Sequence, residues 1–126
     1  MKAVRITTDS CIDYVNLKAP IHKSAGEIVG GLVEHVRPRY LQKPYCMLCN
    51  ECGLIDQLPL NPIASLLYGY QDHGHPIAGN VLIIKEEGSE WCGLDDLELI
   101  KVICTMNGIR EELEKFIKET PHGEEG

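Results

Sequence analysis

Three groups of residues in this chain have types and spacings that carry chemistry. The first is Cys46-Met47-Leu48-Cys49-Asn50-Glu51-Cys52, two overlapping C-x-x-C spacings. Three thiolates so placed hold zinc or an iron–sulfur cluster where the chain bends to gather them. A fourth ligand would come from Cys92, Cys104 or a histidine. Read as a strand, the same segment points Cys46 and Cys49 to opposite faces, and the thiols become small buried hydrophobes. The strand reading is preferred; Cys46, Cys49 and Cys52 stand as the alternative metal site, and no cofactor is expected.

The second group is Asp72-His73-Gly74-His75, where two imidazoles flank a glycine. Such a pair binds a metal or moves a proton, and a hydrolytic variant would use His73 as base with Asp72 orienting it. No GxSxG, HExxH, Walker or GxGxxG arrangement accompanies it, and no nucleophile is paired with a base at a recognisable spacing. A non-catalytic protein is expected. The third group is a set of amides, carboxylates and rings at element ends: Asn50, Glu51, Asn61, Tyr68, Tyr70, His73, His75 and Asn80. Gathered in a pocket, they suit a planar, nucleotide-like ligand whose base stacks on tyrosine while its ribose hydroxyls meet Asn or Glu. The competing reading is structural. An Asn–Glu pair before a glycine turn bonds its own backbone, and a Leu-Pro-x-Asn corner ends a strand and caps a helix.

The elements that must position these groups follow from periodicity. Strands are predicted at 2–6, 32–37, 44–50 and 80–85, with 12–17 as hairpin partner of the first and a short strand at Trp91-Cys92. Val81-Leu82-Ile83-Ile84 is the best strand and is placed centrally. Ser24 with Glu27 predicts a capping box for a short helix that Gly30-Gly31 stops. Asn61-Pro62 starts a second helix that Gly69 ends, and 70–76 reads as a loop. Asp95 with Glu98 opens the longest helical run, which Asn107-Gly108 is expected to break before a second helix over 109–118. The fold class is α+β: one domain over 1–119, an antiparallel or mixed sheet, short helices, and a C-terminal helix pair packed on one face. Residues 120–126 read as a flexible acidic tail.

Composition narrows the partners. The chain has 126 residues, 44% of them hydrophobic and 25% charged, which fits one globular domain. No apolar run is long enough to span a membrane, and the N-terminus lacks the apolar core of a secretory signal. A cytoplasmic protein with reduced thiols is expected. Residues 1–63 carry seven Lys or Arg against six Asp or Glu, and residues 64–126 carry five against thirteen. The acidity therefore lies in the second half, which disfavours direct nucleic-acid binding and leaves a basic protein surface as the alternative partner.

Gly30-Gly31-Leu32-Val33-Glu34, Leu48-Cys49-Asn50-Glu51-Cys52-Gly53-Leu54, Leu58-Pro59-Leu60-Asn61 and Ile77-Ala78-Gly79-Asn80-Val81-Leu82-Ile83-Ile84 occur in that order. The order resembles domain-of-unknown-function family 3846, carried mainly by bacteria, their phages and conjugative elements, over roughly residues 26–100. Cys49 and Cys52 depart from the aliphatic and polar residues expected there, and the extension from Asp95 is longer than the family's minimal pattern. The resemblance implies an accessory protein of a phage or mobile element acting on a host process in a bacterial cytoplasm. It brings no catalytic residues. A homo-oligomer is expected as well, because the run 95–106 is apolar on too many sides for a small monomer to cover.

Overall fold

The computed structural model describes residues 1–119, with side chains through residue 117; the expected acidic tail lies outside the described residues. The chain begins with a hairpin, Lys2–Ile6 (β1) antiparallel to Ile12–Asn16 (β2), and then enters a helix, Ile21–Val29 (α1). Two further strands follow, Val33–Val36 (β3) and Tyr45–Asn50 (β4), and then a helix, Pro62–Tyr68 (α2), and a single turn, Tyr70–His73 (α3). Val81–Glu87 (β5), Glu90–Cys92 (β6) and the long Asp96–Glu119 (α4) complete the described chain. The sheet order is β2-β1-β5-β4-β3 with β6 added to β5, and every pairing is antiparallel.

The continuous apolar run of β5 is explained by layers on both sides of it. Val81 and Ile83 join Val4, Ile6 and Met47 in a core closed by Ile63 and Leu67 of α2 and by Leu99, Val102 and Met106 of α4. Leu82 and Ile84 point the other way, to Ala3, Cys46 and Leu48 beneath Ala25 of α1. A strand buried on both faces cannot alternate polar with apolar, because each successive side chain enters a different core. β5 is therefore central, as its sequence predicts, and the fold is a single α+β domain.

Three local expectations need correction. α1 starts at Ile21, not after Ser24: Pro20 holds the N-cap position, and the Ser24 hydroxyl donates to the Lys18 carbonyl. A proline with preset φ starts the turn, and Ser24 is left inside the helix. Gly30 ends α1 at φ 88°, as expected. Within 70–76, residues 70–73 form a helical turn and not open loop. The predicted C-terminal helix pair is one helix of 24 residues that runs through Asn107-Gly108. A glycine stop works by taking positive φ, which Gly108 does not do. Ile109 and Leu113 pack on the same core as Met106, each contributing about 1 kcal/mol by partial burial, and together they outweigh the roughly 1 kcal/mol cost of an interior glycine.

The start of α4 follows its sequence. The Asp95 carboxylate accepts from the Glu98 amide at 2.8 Å, and Glu98 accepts from the Asp95 amide at 2.9 Å, a complete capping box. Asp95→Ala is expected to lower unfolding free energy by about 1 kcal/mol. Urea melts of the two proteins check this, and an unchanged midpoint would contradict it.

Candidate functional site

One end of the sheet gathers the four sequence blocks quoted above. Leaving β4, Asn50 folds its side chain back: its Oδ1 accepts from the Cys52 amide at 2.8 Å, and its Nδ2 donates to the Val29 carbonyl at 3.2 Å. The first bond is an Asx turn, and the second ties that turn to the end of α1. The tie needs room, since a Cβ on Gly31 would lie 3.0 Å from Asn50 Nδ2. The turn is also stitched to its neighbours through Glu51 N–H to Leu32 O at 2.8 Å and Leu58 N–H to Gly53 O at 2.9 Å. Gly53 lies so close to the 75–78 segment that a Cβ there would stand 2.7 Å from the Ala78 carbonyl.

Asn61 performs the same service one corner later. Its Oδ1 caps α2 by accepting from Ala64 N–H at 3.1 Å, while its Nδ2 donates to Ile6 O and Gly79 O, both at 3.0 Å. The side chain is 0% exposed, which places it in the framework and away from any ligand surface. Asn80 is likewise engaged, accepting from the Thr8 amide at 3.0 Å.

Between the turn after β4 and the segment before β5 lies a cavity of about 210 Å³, lined by Glu34, Asn50, Glu51, Leu54, Ile55 and His75 among others. Asn50, Glu51 and His75 of the predicted set meet there. Tyr68 and His73 are not in its lining: their rings stack at 3.9 Å, and Tyr68 Oη lies 3.3 Å from His75 Nε2. His75 Nδ1 lies 3.1 Å from the Pro76 carbonyl. In the neutral tautomer that fits this network, Nδ1–H donates to Pro76 and Nε2 accepts from Tyr68. Burial, and then the Glu34 carboxylate, push the Tyr68 phenol above its ordinary range, so it remains a donor at neutral pH. Tyr70 is elsewhere, lining a separate hollow with Tyr40 and Asp72.

Both ring nitrogens of His75 and both ends of the Asn50 amide are thus engaged within the chain. What remains open at the cavity is a pair of carboxylates, Glu34 and Glu51, with no ion-pair partner among the described residues. Glu34 was not among the residues singled out by type. Its signal was the alternation of β3, which puts it opposite Cys49 on the strand that walls the cavity. The hydrolytic arrangement is not formed, since Asp72 pairs with Arg39 at 2.9 Å while His73 stacks on Tyr68.

The cysteines divide as a strand requires. Cys46 and Cys49 belong to opposite cores of the sheet, and no group of three or more metal-ligating side chains gathers among the described residues. The three thiols of the alternative metal site, Cys46, Cys49 and Cys52, are therefore not brought together among the described residues. Burial pushes the Cys46 thiol up to about 11 and the Cys49 thiol up to about 12. At pH 8 only ~1 in 10,000 Cys49 groups is then thiolate, the reactive form. Thiol labelling of the folded protein at pH 8 is expected to modify the exposed Cys11 and Cys104 and to spare Cys46 and Cys49 until urea unfolds the chain. Early modification of Cys49 would contradict the placement.

The architecture is that of a small α+β domain: an antiparallel sheet with helices on both faces and a cavity at one sheet end. The family model described as domain of unknown function DUF3846 matches residues 1–107, and the chain belongs to that family. The match takes in the first hairpin and half of α4, both beyond the blocks that carry the resemblance in sequence. No curated protein and no solved structure matches the chain. Among the described residues, no helix is long and apolar enough to cross a membrane.

Proposed function

We propose that this chain is a non-catalytic binding protein whose cavity at the end of β4 takes a small planar ligand of nucleobase or nucleoside type. One observation carries the reading: Glu34 and Glu51 are left open beside apolar walls from Leu54, Ile55, Ile77 and Ala78. Ionised carboxylates only accept hydrogen bonds, so the ligand must donate them. The cavity is smaller than the usual drug-sized pocket, which favours one ring system over a whole dinucleotide. Among the described residues its lining has no lysine or arginine, so the phosphates of a nucleotide would lie outside it. Amino-bearing bases meet these demands, and guanine offers adjacent N–H and NH₂ groups that match the two oxygens of one carboxylate. In this reading the protein is a cytoplasmic accessory of a phage or mobile element, and it blunts a host process by withholding such a ligand.

Calorimetric titration with guanosine, cytidine, adenosine and uridine tests this. The three amino-bearing nucleosides are expected to bind more tightly than uridine. Glu51→Gln and Glu34→Gln should each weaken binding about 10–100-fold, the loss of one charge-assisted hydrogen bond. The affinity should vary little with salt. Failure of all four nucleosides, together with capture of a basic protein whose binding falls steeply with salt, would overturn the pocket reading in favour of acidic docking.

A further inference from the structure

The crest of α4 that faces away from the core has apolar groups near one end and a notch near the other. Leu97 and Ile100 are 62% and 59% exposed. Cys104, also exposed, stands one turn further on, and Gly108 one turn beyond that. Residues 97, 100, 104, 108 and 111 follow one face of the helix at i+3 and i+4 spacing. A Cβ on Gly108 would meet nothing within 4 Å, and its φ is not left-handed. Nothing among the described residues therefore requires a glycine at a site where one weakens the helix. Beside it opens a groove of about 740 Å³ walled by Tyr40, Leu66, Ile109, Glu111 and Glu112, with Tyr40 63% exposed over it.

We propose that a second copy of this chain occupies the groove, its α4 lying antiparallel across the first with the two-fold axis at Cys104. Ile100 and Gly108 each stand four residues from Cys104, on opposite sides. An antiparallel register centred there sets Ile100 of each copy over Gly108 of the other and leads Leu97 into the groove beneath Tyr40. The contact is isologous, since each copy supplies both the knob and the notch. Charge selects the same direction. At 1.5 Å rise per residue, Lys101 comes within roughly 6–8 Å, along the axis, of Glu111 and Glu112 of the second copy. A parallel pairing would instead set each of these charges against its own equivalent. The glycine lets the two backbones approach to the short end of the 8–10 Å helix spacing.

Sedimentation equilibrium of the full chain from micromolar to millimolar concentration tests the proposal. The expected result is a particle of twice the 14.1 kDa protomer mass at the upper end. Gly108→Leu and Lys101→Glu should each weaken association at least tenfold, and adding Glu111→Lys with Glu112→Lys to Lys101→Glu should restore it. Gly108→Leu should melt no lower than the parent where both are monomeric, because leucine is the better helix former and its Cβ meets nothing within 4 Å among the described residues. A parent monomeric over the whole range, or a dimer of unchanged affinity in Gly108→Leu, would overturn the proposal. So would a charge-swapped variant that stays monomeric.

Discussion

Asn61→Ala is expected to lower the free energy of unfolding by about 3–5 kcal/mol, a large part of the 5–15 kcal/mol that holds a domain of this kind together. The amide makes three hydrogen bonds in a fully buried setting. Alanine removes the cap of α2, worth roughly 1 kcal/mol. It also strips the donor from two carbonyls, Ile6 O and Gly79 O, that no water can reach through the core; each costs about 1–3 kcal/mol when unpaired. Asn61→Asp would not repair the damage, because a carboxylate keeps the cap and offers the carbonyls only acceptors. Urea unfolding followed by circular dichroism measures both variants, and a loss below about 1 kcal/mol would mean that Asn61 faces solvent or a ligand after all.

Gly53→Val should cost about 2–3 kcal/mol and weaken ligand binding as well. The position lies outside the left-handed region, so the penalty is steric. The added Cβ would stand 2.7 Å from the Ala78 carbonyl oxygen, and backbone cannot swing aside as the end of a long side chain can. The turn and the 75–78 segment must therefore part, which spreads the walls of the cavity. Gly108→Ala is the control: its Cβ meets open space, so under dilute conditions it should raise stability by up to about 1 kcal/mol. Equal effects at the two glycines would contradict the packing described at the cavity.

Much of this fold was legible because its signals are local. Asn61-Pro62, Asp95 with Glu98 and Gly30 act within a turn of themselves, and each does what its type predicts. Val81–Ile84 announced a strand buried on both faces by carrying no polar residue. Gly108 misled because a glycine marks the end of a helix only when the chain beyond has nothing to pack on, and Ile109 and Leu113 do have a core to meet. The site was legible in part for the same reason. Residue type identifies a group able to bond, but a third dimension decides whether that capacity is already engaged inside the chain. Asn61 and Asn80 serve the framework, Tyr70 turns to another hollow, and Glu34 enters from a strand far away in sequence. Asn50 shapes the turn as its type predicts, and the same residue lines the cavity.

The central claim is that the open carboxylates at the end of β4 receive a donor-bearing ring. Its most direct test is a titration of isotope-labelled protein with guanosine, followed by amide chemical shifts residue by residue. The account predicts shifts concentrated at Glu34, at residues 49–55 and at residues 75–78, saturating with one equivalent and abolished in the Glu34→Gln, Glu51→Gln double variant. Guanosine shifts confined to the crest of α4, or a spectrum unmoved at millimolar nucleoside, would contradict it.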